Sequence, residues 1–124
     1  MDMNQSINVF GEKLILCSAQ PVTGFFRNGC CDTNAEDLGS HTVCVELTEG
    51  FLQFSKQVGN DLSTPRPQWN FPGLNAGEKW CLCAERWLEA YREGYAPKVH
   101  LHSTHKKALE IIPLETLERF AVDE

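Results

Sequence analysis

The sequence lacks the basic clusters that bind nucleic acid or anionic lipid. Its longest run of positive charge is Lys106-Lys107, and 17 acidic residues outnumber 11 Lys and Arg residues, which gives a formal net charge of -6. Phosphate backbones and anionic lipid surfaces attract concentrated positive charge, so this balance argues against both partners. We therefore expect neither a nucleic-acid partner nor a membrane partner.

Long apolar runs and an export signal are also missing. The first ten residues, MDMNQSINVF, contain no basic segment followed by an apolar one. The longest apolar stretch near them, 14–17, is far shorter than a membrane span. The expected location is the cytoplasm, where thiols are kept reduced.

Cysteines, in contrast, are plentiful, and their even number suggests disulfide bonds. The expected reducing compartment argues against stable disulfides, and the adjacent Cys30 and Cys31 cannot easily bond to each other. Most of the cysteines are therefore predicted to be free thiols that pack as small apolar side chains. The six are Cys17, Cys30, Cys31, Cys44, Cys81 and Cys83.

Two stretches show neither helical nor strand periodicity. Residues 18–40 and residues 59–77 are punctuated by proline, glycine and asparagine, and the second contains three prolines. Proline excludes helix interiors and central strands. Irregular segments of this length are uncommon in a compact domain and often carry function.

The remaining segments predict an α+β fold. Alternating apolar and polar residues over 41–47 predict a half-buried strand, and Thr48 and Gly59 suit the two ends of a following helix. The other predicted elements are an extended piece, turn and strand over 7–17, a long amphipathic helix over 78–93, a hairpin of strands over 97–103 and 107–112, and a helix after Pro113. This order favours a small, mainly antiparallel sheet with about three helices packed on it and two long irregular loops, rather than a small mixed sheet. No linker divides the chain, so residues 1–124 are expected to form a single domain.

Several short strings resemble those of a bacterial protein family. They are TGFFRNGCC (23–31), GSHTVC (39–44), FLQFS (51–55), GNDLSTPRP (59–67), FPGL (71–74), WCLCAERW (80–87) and Thr104-His105. Over essentially its whole length the chain is similar to the uncharacterised domain-of-unknown-function family 2237. The resemblance implies no activity, ligand or cofactor, but it places both irregular segments within the family's pattern. His100 and His102 lie outside that pattern.

The two irregular segments predict a ligand pocket where residues 23–33 meet residues 59–77. Arg66 stands between two prolines, so its guanidinium is presented from a stiff extended backbone. A guanidinium suits a carboxylate or phosphate, and Trp69 adds flat apolar area. The predicted ligand is a small anionic molecule, and its predicted binding residues are Arg27, Thr64, Arg66 and Trp69.

The same pocket offers residues for thiol catalysis. A cysteine nucleophile needs a thiolate, a base and a group that orients the base. Arg27 precedes two cysteines and its charge would lower a thiol pKa. The predicted catalytic set is Cys30, Cys31, His105 and Asp61, with His41 as another candidate base and Asp32 as another candidate orienter. His41 and Cys44 make no dyad, because they face opposite sides of the predicted strand.

Other interpretations compete with this pocket. Asp61 and Thr64 are also typical turn and cap residues, and Arg66 could pair with an internal acid. The proline-rich loop and exposed aromatic residues would equally suit a protein-interaction module.

A Cys/His metal-binding domain is the third functional alternative. The C-C and C-x-C spacings match no standard zinc knuckle. Cys81 and Cys83 would project apart on a helix, although they would share a face on a strand. His100 and His102 have a possible ligand spacing on a strand, but the solvated face of a hairpin is the favoured interpretation because no carboxylate is near them in sequence.

Overall fold

A three-stranded antiparallel sheet and three α-helices make up the regular part of the computed structural model, which describes residues 6–20, 22–69 and 71–123. The strands are β1 (His41–Glu46), β2 (Lys79–Cys83) and β3 (Lys98–Val99), and the helices are α1 (Glu49–Gln57), α2 (Ala84–Glu93) and α3 (Leu114–Glu118). Short 3-10 helices span Pro67–Trp69, Leu101–Ser103 and Lys106–Glu110. The strand order is β2-β1-β3. The predicted α+β class and antiparallel sheet are confirmed.

Strand β1 lies at the centre of the sheet and is buried on both faces. Val43 and Val45 belong to the main apolar core, together with Phe51 of α1 and Trp87 of α2. Cys44 points to the other face, where it joins a separate cluster of buried cysteines. The strand predicted over 41–47 is therefore confirmed, with both faces covered rather than one.

Helix α1 begins and ends where the sequence predicts. The Thr48 hydroxyl accepts a hydrogen bond of 3.1 Å from the backbone N–H of Phe51, which satisfies a donor in the first turn. The chain leaves the helix through Gly59, whose φ of +92° is easily adopted only by glycine.

The predicted long helix over 78–93 is wrong in its first third. Residues 79–83 form strand β2, in which Glu46 pairs with Lys79 and Cys44 pairs with Cys81, and the helix begins only at Ala84. Trp80, Cys81 and Leu82 are all buried. A short apolar run that is buried on both sides fits helical and strand periodicity equally well, so only pairing with β1 decides its conformation.

The hairpin predicted over 97–103 and 107–112 does not form. Strand β3 has two residues, after which the chain turns into 3-10 helices. The Asp123 carboxylate accepts hydrogen bonds from the backbone N–H groups of Leu101 and His102, so these donors are not available to a second strand. Residues 7–17 form only isolated bridges, from Ile7 to Lys13 and from Asn8 to His105, rather than a strand.

Four of the six cysteines form two disulfide bonds, which corrects the prediction of free thiols. Cys17 is bonded to Cys44, and Cys31 to Cys81, across 27 and 50 residues of chain. By the chain-entropy relation, loops of these lengths correspond to about 3.5 and about 4 kcal/mol of stabilisation. The Cys31–Cys81 bond attaches the first irregular segment to the sheet, and the Cys17–Cys44 bond attaches the residue just before that segment. Cys30 and Cys83 are the two free cysteines.

Candidate functional site

The two irregular segments meet at a cavity of about 610 Å³. Phe25 and Arg27 line it from the first segment, and Asp61, Arg66 and Trp69 are among the residues that line it from the second. His41 of β1 and Trp80 of β2 also line it. Of the four predicted ligand-binding residues, Arg27, Arg66 and Trp69 therefore border one cavity, whereas Thr64 does not.

Arg66 lies at the start of a tight loop that holds its backbone in place. Its N–H donates to the Phe71 carbonyl at 2.7 Å, and its own carbonyl accepts from the N–H groups of Trp69 and Phe71. The Arg66 side chain is 42% exposed, and its NH2 atom is 3.9 Å from Oδ2 of Asp61. That distance is too long for a hydrogen bond but within ion-pair range, so Arg66 pairs loosely with an internal acid, as the competing interpretation expects. Within the described residues the guanidinium donates no hydrogen bond to Asp61.

Asp61 and Thr64 build the turn that precedes Arg66. The Asp61 carboxylate accepts hydrogen bonds from the backbone N–H groups of Ser63 and Thr64 and from the Thr64 hydroxyl, the last at 2.6 Å. The Thr64 hydroxyl is the main reason that the pKa of Asp61 is lowered. Asp61 is thus a charged turn residue at the edge of the cavity, as the competing interpretation expects, rather than a free acid or base.

Arg27, which also lines the cavity, is held by two contacts of its guanidinium. Its guanidinium lies 5.2 Å from the centre of the Trp80 ring and donates to the Gly24 carbonyl at 3.0 Å. Its φ of +55° is unusual for a residue with a side chain. Strained backbone of this kind occurs preferentially at functional sites.

Among the described residues that line the cavity, His41 has the one titratable ring, and a buried carboxylate orients it. Its Nδ1 atom lies 2.6 Å from Oδ1 of Asp37, whose side chain has no exposed surface. Burial alone would raise the pKa of Asp37, but hydrogen bonds from the His41 ring, the His41 backbone N–H and the Thr33 hydroxyl outweigh it and lower the pKa. An ionised Asp37 requires Nδ1 of His41 to be the donor. In the neutral ring, Nε2 is then free to accept a proton.

Packing also fixes the position of the His41 ring. A Cβ atom on Gly39 would lie 2.8 Å from Cε1 of His41, so the ring occupies space that only glycine leaves open. Phe25 stacks on the ring with centroids 6.4 Å apart. Ser40, between Gly39 and His41, has a φ of +49°. The sequence reasoning named His41 as a candidate base but missed Asp37, and the only local signal was the spacing of four residues between them.

This chain matches the family described as "Uncharacterized protein conserved in bacteria (DUF2237)" over residues 7–121. The chain belongs to the DUF2237 family. No curated protein matches it. Within the part of this DUF2237 chain that the structure describes, no helix is long and apolar enough to cross a membrane.

The predicted catalytic set of this DUF2237 protein is not brought together. Cys31 has no thiol to offer, since it is fully buried in its disulfide with Cys81. Cys30 does not line the cavity, and burial and then the charge of Asp32 raise its pKa, which is opposite to the predicted activation by Arg27. His105 lies outside the cavity as well.

His105 has a structural position instead. It is the residue before the 3-10 helix Lys106–Glu110, and its Nδ1 accepts a hydrogen bond of 2.9 Å from the backbone N–H of Lys107. Burial is the main reason that the pKa of His105 is lowered. Its ring therefore caps a turn. Of the predicted set of Cys30, Cys31, His105 and Asp61, only Asp61 borders the cavity, where the alternative base His41 also lies.

The metal alternative is not supported by the arrangement of its candidate ligands. The sulfur atoms of Cys17, Cys31 and Cys81 lie within 4.8 Å of one another, but each is already in a disulfide bond. His100 and His102 do not share a ligand site either. Nε2 of His100 is 3.2 Å from Glu46, and Nδ1 of His102 is 3.0 Å from Asp123, so each ring pairs with its own carboxylate.

Proposed function

We propose that the cavity binds a small anionic molecule whose carboxylate or phosphate group is joined to a flat apolar part. The observation that carries the proposal is that the guanidinium groups of Arg27 and Arg66 border one cavity of about 610 Å³. Pockets for small ligands commonly have this size. Across residues 6–20, 22–69 and 71–123, neither guanidinium donates a hydrogen bond to a carboxylate.

The charges around the cavity support an anion rather than a cation. The chain carries a formal net charge of -6, so its overall field repels anions and attraction has to be local. Two arginines provide that attraction, and guanidinium groups can bind carboxylate or phosphate through two parallel hydrogen bonds. Asp61 is the acidic residue in the wall, and its oxygens are occupied by the turn.

Aromatic residues support the apolar part of the ligand. Trp69 is 73% exposed and Phe25 is 39% exposed, and both border the cavity. When a flat ligand covers large apolar side chains that were exposed to water, the free energy of the complex is lowered. The proposed ligand therefore combines an anionic head between the arginines with a ring against the aromatic wall.

Calorimetric titration with phenyl phosphate and benzoate tests the proposal. Arg27→Gln and Arg66→Gln are each expected to weaken binding at least tenfold, since a hydrogen bond to a charged group contributes about 1.5–3 kcal/mol. Arg92→Gln, at an exposed position of α2 outside the cavity, is the matched control and should bind as the wild type does. Unchanged binding in the Arg27→Gln/Arg66→Gln double variant would rule the proposal out.

A protein-interaction module remains the competing proposal, and Trp69 is the observation in its favour. This residue is the most exposed of the described tryptophans and follows the proline-rich part of the loop. A macromolecular partner held by Trp69 would be lost with Trp69→Ala but would tolerate Arg27→Gln, because the Arg27 guanidinium lies against the Trp80 ring rather than against Trp69. A small anionic ligand would be sensitive to both substitutions.

A cytoplasmic location is also retained as a proposal, although two disulfide bonds are unusual there. All four bonded cysteines are buried, which restricts attack by soluble thiols. Alkylation of protein trapped in acid directly from cells shows whether the disulfide bonds are already present in the cell. Two modified cysteines, Cys30 and Cys83, indicate that the disulfides exist in the cell, whereas six indicate that they form after lysis.

A further inference from the structure

We infer that Cys83, His41 and Asp37 form a thiol nucleophile site at the edge of the cavity, acting on esters or thioesters whose acyl part carries an anionic group. The acyl specificity rests on the proposed anion-binding function, whereas the nucleophile site does not. This constellation was not predicted from the sequence. It depends on residues 79–83 forming a strand instead of a helix.

The pairing of β1 with β2 brings the thiol to the histidine. His41 is directly opposite Cys83 in the antiparallel ladder, and the register is irregular between His41 and Val43. In a regular ladder directly opposite residues point to the same face. At this irregular pair the shared face is supported by the cavity that both His41 and Cys83 line. Irregular register at a strand end re-aims side chains and is frequent beside active sites.

A smaller cavity of about 190 Å³ connects this pair to the proposed binding site. Cys83 and His41 both line it, together with Arg86. It shares His41, Asn60, Leu62 and Trp80 with the larger cavity, so the two spaces adjoin along one wall. An anionic ligand held between Arg27 and Arg66 would therefore extend toward the sulfur of Cys83.

The three side chains have the roles that a nucleophile site requires. Cys83 is free and half-buried. In the neutral His41 ring, Nδ1 donates to Asp37 and Nε2 carries the lone pair, so Nε2 can act as the general base. Asp37 lines neither cavity and acts through His41, so it is a positioning residue.

Two sources of positive charge lie near Cys83, the N-terminus of α2 and Arg86. Cys83 is the residue at the N-terminal end of α2 and makes no side-chain capping bond there. A helix N-terminus carries partial positive charge. Arg86, in the first turn of α2, borders the smaller cavity although it also donates to Glu89 at 3.1 Å.

The first half-reaction acylates the enzyme. Nε2 of His41 takes the proton of the Cys83 thiol, and the sulfur forms a bond to the carbonyl carbon of the ester. The carbonyl electrons move to oxygen and return as the bond to the leaving group breaks. The leaving alkoxide or thiolate takes the proton from His41, which produces an alcohol or thiol and a Cys83 thioester.

Water completes the second half-reaction. His41 takes a proton from water, the hydroxide oxygen bonds to the acyl carbon, and the carbon–sulfur bond breaks. The proton then returns to Cys83, and the acyl group leaves as a carboxylic acid. No oxidant or reductant is needed, because water is the only co-reactant. In the resting structure no hydrogen bond joins Cys83 to His41 within the described residues, and such bonds are often loose without substrate.

Acylation by p-nitrophenyl acetate, followed by intact mass and peptide mapping, tests the nucleophile site. Acetyl transfer is expected at Cys83 and should disappear in Cys83→Ser. His41→Gln should slow it at least tenfold. Cys30→Ser is the control, because Cys30 lies outside both cavities. Acetylation of Cys30 instead of Cys83, or a rate unaffected by Cys83→Ser, would overturn the inference.

A second variant keeps the test decisive if His41→Gln fails to fold. Gly39→Ala keeps every reacting group but places a Cβ atom where the His41 ring now lies. It is expected to slow acetylation of Cys83 several-fold, with recovery as imidazole is added. Wild-type acetylation rates in both a folded His41→Gln and Gly39→Ala would show that His41 takes no part. Asp37→Asn should also slow acetylation, and Asp37→Glu should restore part of the rate.

Comparison with p-nitrophenyl hydrogen succinate separates the two proposals. The anionic ester is expected to acylate Cys83 at least tenfold faster than the acetate. Arg27→Gln and Arg66→Gln should abolish this rate difference and leave the rate with the acetate unchanged. Acylation of Cys83 by both esters at equal rates refutes the anionic specificity while the nucleophile site stands. Binding of phenyl phosphate without any acylation of Cys83 refutes the nucleophile site while the binding function stands.

Discussion

The disulfide bond between Cys31 and Cys81 attaches one end of the loop of residues 24–30, which lines the cavity, to strand β2. The other end is tied to the same residue, because the backbone N–H of Cys81 donates to the Thr23 hydroxyl at 2.8 Å. Thr23 and Cys31 have no exposed surface. Residues 24–30 thus project from one point of the sheet, and Arg27 reaches the neighbouring Trp80 ring.

Removal of this disulfide should impair both stability and binding. Cys31→Ala/Cys81→Ala is expected to lose about 4 kcal/mol of unfolding free energy, the value for a loop of about 50 residues. Arg27 would lose its fixed position, so affinity for phenyl phosphate should fall as well. Urea denaturation and calorimetric titration measure the two effects. Cys30→Ala is the control, and full affinity in the double variant would contradict this role of the disulfide.

Substitutions of Asp61 and Arg66 should have different effects, the first on stability and the second on ligand binding. Asp61→Ala removes the acceptor for three hydrogen bonds in the turn, so the melting temperature is expected to fall. Arg66→Gln removes no hydrogen bond within the described residues and only a loose, partly exposed ion pair with Asp61, so it should leave the melting temperature nearly unchanged and reduce ligand affinity. Calorimetry measures both quantities. The opposite result, with Arg66→Gln the more destabilising, would mean that Arg66 is a structural residue.

Strand β1 and helix α1 could be predicted because their sequence signals are local. Alternation over 41–47 and the Thr48 cap each involve neighbours in sequence, and the structure contains both elements. Strand β2 could not be predicted in the same way. Its apolar residues fit two periodicities, and only the hydrogen bonds to β1 select the strand.

The disulfides were missed for a different reason. The prediction of free thiols came from the expected compartment, which says nothing about geometry. In the fold, Cys17 and Cys44 have Cα atoms 5.8 Å apart, and those of Cys31 and Cys81 are 5.1 Å apart. These distances depend on long-range packing that no spacing in the sequence reveals.

The candidate site shows the same division between local and long-range information. Proline and glycine content marked both cavity segments, and the exposed arginines within them could be named from the sequence. The contribution of Cys83 could not be predicted, because its position opposite His41 exists only in the β1–β2 register. Asp37 lies in a turn whose path brings its carboxylate back to the strand.

Acid should destabilise the protein partly through Asp37. Burial raises its pKa, but the hydrogen bonds from His41 and Thr33 prevail, so the folded-state pKa lies below the unfolded value of about 3.9. Its contribution is complete above that unfolded value and is lost as the pH falls through the folded-state pKa. Urea midpoints between about pH 2 and 6 should therefore fall more steeply in the wild type than in Asp37→Asn. Equal slopes would show that Asp37 is not linked to folding.

The tautomer of His41 is the most direct check on the site, because it follows from a single contact. Asp37 accepts at Nδ1, so neutral His41 should carry its proton there and leave Nε2 free. His100 provides an internal control of opposite sense, since its Nε2 lies 3.2 Å from Glu46. Long-range ¹H–¹⁵N spectra of the imidazole rings report both tautomers in one sample.

Asp37→Asn should shift the tautomer of His41 and leave that of His100 unchanged, because an amide can donate to Nδ1 where a carboxylate cannot. A wild-type His41 ring protonated at Nε2 would remove the base from the proposed nucleophile site. Such a ring would have no lone pair to direct at Cys83. The arginines would still border the cavity, so the anion-binding proposal would be unaffected.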